Sequence, residues 1–309
     1  MLKKILFILA AAVMTLHALG DIRVYSTENN PKSDLPAKVK ASLEANGFTI
    51  AADTNMIKPF MIQFQHSDYD VFHLLTAFHT NDAQALVLKY PDAGIFVPMG
   101  FGIYQAKGEK QLHVSVLTAE AMAKIMGLKS VDPLLTDIEK TASKAIEAVM
   151  PKATVAYSND NPLPAEGPLV SKFVYELEED DDPDEIADDM QMGIENNLGP
   201  LGFVLSNTLD FNDVLTAGDT KESPFEFYNS FSICKLKVIY NVAKTRPEAA
   251  AFAPCTLMMY KRKDSNKIVT GFPGVYNWLS SARVENAEAK AVLMKAQHDF
   301  EAMLTELTE

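Results

Sequence analysis

Cysteine and tryptophan are scarce in this chain of 309 residues, which has two cysteines and one tryptophan. Cys234 and Cys255 do not form a Cys-x-x-Cys motif, so the pattern typical of a thioredoxin-like redox centre is absent. The sequence also lacks a glycine-rich phosphate loop, a Gly-x-Ser-x-Gly nucleophile motif and a His-Glu-x-x-His zinc motif. The usual signatures of nucleotide-binding proteins, serine hydrolases and zinc enzymes are therefore missing, and we expect no metal and no cofactor.

Positive charge is in the minority. Lysine and arginine number 28 against 41 acidic residues, which gives a formal net charge of −13. A nucleic-acid partner requires a basic face that neutralises phosphates, and an anionic membrane surface attracts basic rather than acidic proteins. The charge therefore argues against both kinds of partner.

The N-terminal segment 1–20 has the pattern of a bacterial export signal. Lys3 and Lys4 precede an apolar run, and Ala18-Leu-Gly20 provides small residues for cleavage before Asp21. This pattern predicts a periplasmic or secreted protein without a membrane span after cleavage. Retention of the segment as an uncleaved anchor is the alternative.

An internal repeat organises the rest of the chain. The segment 96–104 recurs as 252–260, with phenylalanine, proline and tyrosine matched at a constant offset of 156 residues (254 − 98). A polar, proline-containing linker over 158–170 separates the copies. We predict a first repeat at 21–157 and a second at 171–309.

Strands and helices alternate in each copy, and each copy closes with an amphipathic helix. The strands are predicted at 22–26, 48–50, 70–78, 96–104 and 112–116, and at 172–177, 203–205, 229–234, 252–260 and 268–270. This order favours an α+β fold of two tandem two-layer modules, each an antiparallel sheet backed by helices. We expect a monomer in which the modules form a pseudo-dimer.

The second copy carries a recognisable combination of segments. A strand ends at Cys234, a helix ends in Arg246-Pro-Glu248, and the segment 252–260 leads through a basic turn to Ile268–Pro273. This combination resembles the domain of unknown function 302 family. The resemblance covers most of the second copy, and the first copy resembles a diverged member.

The family resemblance implies a compact α+β module whose single-domain members form dimers, so that two copies in one chain form a fused dimer. It implies no settled activity. Cysteines are frequent in the family where Cys234 and Cys255 stand, whereas the first copy has Phe78 and Met99 at those positions (234 − 156 and 255 − 156). If the thiols matter, the second copy has kept a site that the first has lost.

Three interpretations of the two cysteines stay open. In an exported protein they form a disulfide, which constrains the unfolded chain. Alternatively, Cys234 lies where a strand enters a helix, and a helix N-terminus that lowers its pKa would suit a redox or sulfur-transfer pair. The third interpretation is two separate buried thiols.

The acidic run and the histidines are explained by structural roles, whereas two aromatic residues stay candidates for a ligand site. The acidic run before Pro183 is interpreted as a helix start capped by Asp182, and His73 and His79 as surface or half-buried polar residues. Tyr260 and Trp278 are candidate ligand contacts.

We predict a non-enzymatic binding or accessory protein of unknown ligand, with any site in the second repeat or between the repeats. The alternatives are a thiol-dependent protein that uses Cys234 and Cys255, and a structural partner in an envelope complex. The partner is an unknown small molecule or an envelope protein.

Overall fold

The computed structural model describes residues 20–30, 32–158, 163–216, 222–253 and 255–309. These residues form two antiparallel sheets with helices packed against them, which confirms the predicted α+β class. The predicted export signal lies outside the described residues except for Gly20. No helix in the described part of the chain is both long and apolar enough to cross a membrane.

The first half, up to residue 158, contains strands, α-helices and one 3-10 helix. Its strands are β1 (Ile22–Glu28), β2 (Phe48–Asn55), β3 (Tyr69–His79), β4 (Met99–Ala106), β5 (Gln111–Leu117) and β6 (Thr154–Tyr157). Its helices are α1 (Leu35–Ala45), α2 (Ile57–Phe64), α3 (Thr80–Lys89), the first 3-10 helix (Pro91–Phe96), α4 (Ala119–Ile125) and α5 (Pro133–Val149).

The second half has the same order of elements, except that it has no counterpart of β6 among the described residues. Its strands are β7 (Val170–Glu176), β8 (Val204–Asp210), β9 (Phe225–Cys234), β10 (Cys255–Arg262) and β11 (Lys267–Pro273). Its helices are α6 (Pro183–Leu198), α7 (Phe211–Thr216), α8 (Leu236–Ala243), the second 3-10 helix (Pro247–Phe252), α9 (Tyr276–Ser281) and α10 (Ala287–Thr308).

The strand order is also the same in both sheets. The first sheet runs β2-β3-β4-β5-β1-β6, and the second runs β8-β9-β10-β11-β7. The tandem repeat itself stays a prediction, and this shared order supports it. The extra strand β6 extends the first sheet by pairing with β1.

Helix starts follow from local sequence. Asp132 caps α5 by accepting a hydrogen bond from the backbone N–H of Leu134 at 3.0 Å, with Pro133 in the first turn. In the second half, Asp182 at the end of the acidic run caps α6 in the same way. It accepts a hydrogen bond from the backbone N–H of Asp184 at 2.9 Å. The predicted helix start at Asp182 is therefore confirmed.

Long helices cover one face of each sheet. Helix α5 packs on β1, where Arg23 donates to Ser143 at 2.8 Å and pairs with Glu139 at 2.9 Å. Helix α10 packs on the second sheet, where the Phe300 ring contacts that of Phe272 at a centroid separation of 4.6 Å.

The opposite faces of the two sheets meet through the 3-10 helices. The first 3-10 helix packs on β10 and β11, and the second packs on β4 and β5. A Cβ atom on Gly100 would lie 2.6 Å from the Ala253 carbonyl oxygen, so this close approach requires glycine. Strand β4 is buried along almost its whole length because both of its faces are covered. The pseudo-dimer stays a prediction that this reciprocal packing supports.

Candidate functional site

The two cysteines lie at facing strand ends. Strand β9 ends at Cys234 and its antiparallel neighbour β10 begins at Cys255, which pairs with Ile233. Both are free thiols, so the structure does not form the disulfide considered above. Of the three interpretations, two separate thiols agree with the structure.

Burial controls the chemistry of these thiols. It raises the pKa of Cys234 to about 12, with a smaller contribution from the nearby Cys255, and it raises the pKa of Cys255 to about 12. Helix α8 does begin just after Cys234, as expected, but desolvation outweighs any stabilisation of a thiolate by the helix N-terminus. Both sulfurs are thiols at neutral pH, and the electrostatics give no support to thiolate chemistry.

Cys234, Cys255 and Trp278 line one small apolar cavity of about 40 Å³. The Trp278 indole is buried and lies 5.9 Å from the Phe252 ring. A cavity of this size has room for a few water molecules, whereas drug-sized ligands occupy roughly 300–1,000 Å³. The structure therefore brings three of the four predicted site residues together, around a space too small for such a ligand.

Tyr260, the fourth predicted site residue, does not line this cavity. Its hydroxyl donates to Asp92 Oδ1 of the first half at 2.8 Å, and its ring stacks on Tyr228 with centroids 5.3 Å apart. Burial and the Asp92 charge raise the pKa of Tyr260. Tyr260 thus acts as a contact between the halves.

A much larger cleft lies at one end of the first sheet. Its volume is about 650 Å³, and β1, β2 and β4 end there while β3 and β5 begin there. The antiparallel pairing brings together polar residues that are distant in sequence. The polar residues on its walls are Asn29, Asn30, Asp34, Asn55, Asp70, His73, Gln105 and Glu109.

Hydrogen bonds fix one wall of this cleft. The buried Gln105 donates to the Glu109 carbonyl oxygen and accepts from the Asn29 amide, both at 2.6 Å. The Glu109 carboxylate meets His113 Nε2 at 2.8 Å, and Ser26 contacts His113 Nδ1 at 2.7 Å. The β4–β5 hairpin and the segment after β1 are therefore held together.

The other walls carry His73, Asp70 and Asp34. His73 Nδ1 lies 2.8 Å from Asp53 Oδ1, and this hydrogen bond is the main reason why the pKa of Asp53 is lowered. Asp70 accepts from the Gly108 backbone N–H at 3.3 Å. Asp34 caps α1 with its backbone in the left-handed region at φ 41°, a conformation that non-glycine residues rarely adopt.

The cleft combines three carboxylates, four amides and an imidazole, and none of its lining residues is lysine or arginine. Such walls offer many hydrogen-bond acceptors and negative charge. Within the described residues, no group of three or more histidine, cysteine or acidic side chains is arranged to hold a metal ion. The chemistry of the walls fits a hydrophilic ligand that is rich in hydrogen-bond donors.

The second half has an ion pair where the first half has this cleft. Lys261 stands at the position equivalent to Gln105 (261 − 156), and its ammonium pairs with Glu226 at 2.6 Å. Glu226 is equivalent to Asp70 (226 − 156). The carboxylate that is available in the first half is thus neutralised in the second.

Sequence reasoning missed the cleft because no motif connects its residues. The usable signal was the position of polar residues at strand ends: Asn29 follows β1, Asp70 opens β3 and Glu109 lies in the β4–β5 turn. His73, expected to be a surface or half-buried polar residue, is half-buried and lines the cleft.

Comparison with known families agrees with the resemblance seen in the sequence. Residues 25–149 match the family model described as domain of unknown function DUF302. The resemblance is therefore confirmed, but the match covers the half that we had regarded as diverged. No curated protein matches the chain.

One solved structure, an uncharacterized conserved protein DUF302 from Bacillus stearothermophilus, is similar to part of the chain. The identity is 14% and the TM-score is 0.36, with 40% of this chain and 95% of that chain covered. A likeness at this level carries no argument about function.

Proposed function

We propose that this protein binds a small hydrophilic molecule, rich in hydrogen-bond donors, in the polar cleft of its first half. The observation that carries the proposal is a cleft of about 650 Å³ whose walls present carboxylates and amides without a lining lysine or arginine. Ligand sites typically occupy roughly 300–1,000 Å³ and contain a few well-placed polar groups. The protein acts as a non-enzymatic binding or accessory protein.

The charge of the walls favours an amine among such ligands. Asp34, Asp70 and Glu109 all line the cleft, and a protonated amine forms charge-assisted hydrogen bonds with carboxylates. Asp70 is exposed and Glu109 is partly exposed, so a ligand reaches both from solvent. The proposal places the ligand in the first half rather than in the second half or between the halves.

We also propose that the protein acts in the periplasm or after secretion. The support is the sequence of residues 1–20, in which two lysines, an apolar run and small residues precede Asp21. An exported binding protein of this kind delivers its ligand to, or senses it for, a partner in the cell envelope.

Calorimetric titration with putrescine, a diamine, and with glucose, a neutral polyol, tests the proposal. We expect putrescine to bind, and the double variant Asp70→Asn, Glu109→Gln to bind at least tenfold more weakly. The reason is that hydrogen bonds to charged groups contribute about 1.5–3 kcal/mol each. Failure of both molecules to bind, or unchanged binding by the double variant, would contradict the proposal.

The second half of the chain suggests a further variant for this test. Gln105→Lys places in the first half the lysine that the second half has at position 261, where it pairs with a carboxylate. We expect this variant to lose putrescine binding because its ammonium neutralises Asp70. Glu306→Gln, which removes an exposed charge from α10, should leave binding unchanged.

A further inference from the structure

The second half contains an apolar cavity that is separate from the polar cleft of the first half. The cavity around Cys234, Cys255 and Trp278 has a counterpart in the first half, lined by Phe78, Met99 and Met122 at the equivalent positions (each 156 residues earlier). The counterpart measures about 10 Å³, against about 40 Å³ in the second half. Cysteine is smaller than phenylalanine or methionine at two of these positions, which favours the larger cavity, although Trp278 is larger than Met122.

A second apolar cavity adjoins the first. It measures about 130 Å³ and lies between the edge strands β2 and β8 of the two sheets. Its walls are formed by Ala52, Thr54, Met56, Pro59, Leu74, Val204, Ser206, Cys234 and Leu236. Cys234 lines both cavities, so the two spaces meet at this residue.

The walls of the larger cavity offer little to water. Most of them are aliphatic, and the Ser206 hydroxyl already donates to the Ser232 carbonyl oxygen at 2.9 Å. A bound water needs two to four polar partners, and an engineered apolar cavity of about 150 Å³ in another protein binds benzene. This chemistry suits an apolar guest.

Solvent reaches the larger cavity at the sheet edges. Val204 on β8 is 58% exposed, and Thr54 on β2 is half-buried. A guest in the larger cavity contacts Cys234, which also lines the inner cavity beside Trp278. A half-buried neutral thiol is a compatible wall for such a molecule, because it packs as a small hydrophobic group.

We propose that these cavities form a second binding site, for a small apolar molecule between benzene and indole in size, with the Cys234 thiol in its wall. The site is separate from the polar cleft and does not depend on it. Its first-half counterpart does not bind because Phe78 fills the position of Cys234.

Saturable changes in the NMR spectrum of the protein on addition of benzene test this site. We expect binding by the unmodified protein and at least tenfold weaker binding by Cys234→Phe, which introduces the residue that the first half has at this position. The double variant Asp70→Asn, Glu109→Gln should bind benzene normally, so failure at one site is distinguishable from failure at the other. Absence of saturable binding, or equal binding by Cys234→Phe, would overturn the proposal.

A second measurement on the unmodified chain covers the case in which Cys234→Phe does not fold. The rate at which methyl methanethiosulfonate modifies Cys234, followed by peptide mass spectrometry, should fall at least threefold at saturating benzene. A rate that benzene leaves unchanged would place the guest elsewhere and overturn the assignment.

Discussion

Acidic residues at the start of each 3-10 helix face a tyrosine of the other half. Asp92 accepts a hydrogen bond from Tyr260, and Lys172 of the second half pairs with the same carboxylate at 2.8 Å. Glu248 stands at the equivalent position (248 − 156 = 92), and its charge raises the pKa of Tyr104, whose main cause is burial. The two contacts are chemically different because the Asp92 side chain is 46% exposed whereas that of Glu248 is 13% exposed.

The half-buried Glu248 makes stability depend on pH. Its side chain is 13% exposed, and burial raises its pKa although Arg246 and His113 lower it in part. A raised carboxyl pKa means that the folded state binds the proton more tightly than the unfolded state. The contribution of this group to stability is therefore lost as pH rises through the folded pKa.

Glu248→Gln should remove that loss, because glutamine does not titrate. We expect the stability of the variant relative to the unmodified protein to rise between about pH 4 and pH 7, because only the unmodified protein loses stability as Glu248 ionises. Urea unfolding at both pH values measures the change, with the exposed Glu306→Gln as the control. A relative stability that is constant or falls with pH would show that the folded protein does not raise the pKa of Glu248.

Candidate residues that belong to a local sequence pattern were easier to predict than the residues of the cleft. The choice of Cys234 and Cys255 as candidate residues followed from a family resemblance, and the cap at Asp182 followed from a local pattern. The cleft residues extend from Asn29 to Glu109 and meet only through strand pairing. Periodicity does not report which strand ends share an edge, so this site required the structure.

At the scale of elements, the 3-10 helices depend on small residues where they enter the other half. A Cβ atom on Gly94 would overlap the Tyr228 hydroxyl and lie 2.7 Å from its ring carbon Cζ. Tyr228 is fully buried and donates to the Pro91 carbonyl oxygen, so it has little room to move. The first 3-10 helix therefore packs closely against the Tyr228 side chain.

Gly94→Ala should destabilise the protein by about 1–3 kcal/mol, the usual cost of overpacking. Thermal and urea unfolding measure the effect, and Tyr228→Phe in the same chain should recover part of it by removing the hydroxyl. Gly199→Ala is the control, because nothing lies within 4 Å of its added Cβ and a surface change of this kind stays within about 0.5 kcal/mol. Equal effects of the two alanine variants would contradict the close packing.

Most strands and the helix that closes each half were predicted, whereas β6 and four of the short helices were not. The segment 96–104 was predicted as strand, but β4 begins at Met99 because Pro91–Phe96 forms a 3-10 helix. Helices α2, α4, α7 and α9 are six to eight residues long, which is about two turns and too short for an apolar periodicity to stand out.

At the scale of the whole molecule, the halves share a topology but differ in their cavities. The first half has the large polar cleft, whereas Lys261 and Glu226 form an ion pair at the equivalent place in the second half. The second half has the apolar cavities, whereas Phe78 and Met99 occupy the equivalent place in the first half. The predicted tandem duplication, followed by divergence at these few positions, would account for the two different sites that we propose.

The histidines provide the most direct test of ligand binding in the cleft, because few are present and they are spread over the chain. His73 lines the cleft and His113 contacts its Glu109, whereas His298 is exposed on α10 of the second half. NMR of protein labelled with ¹⁵N only at histidine follows each imidazole during titration with putrescine. We predict saturable shifts for His73 and His113 and none for His298. A saturable shift at His298 with unchanged His73 and His113 signals would show that the ligand binds outside the cleft.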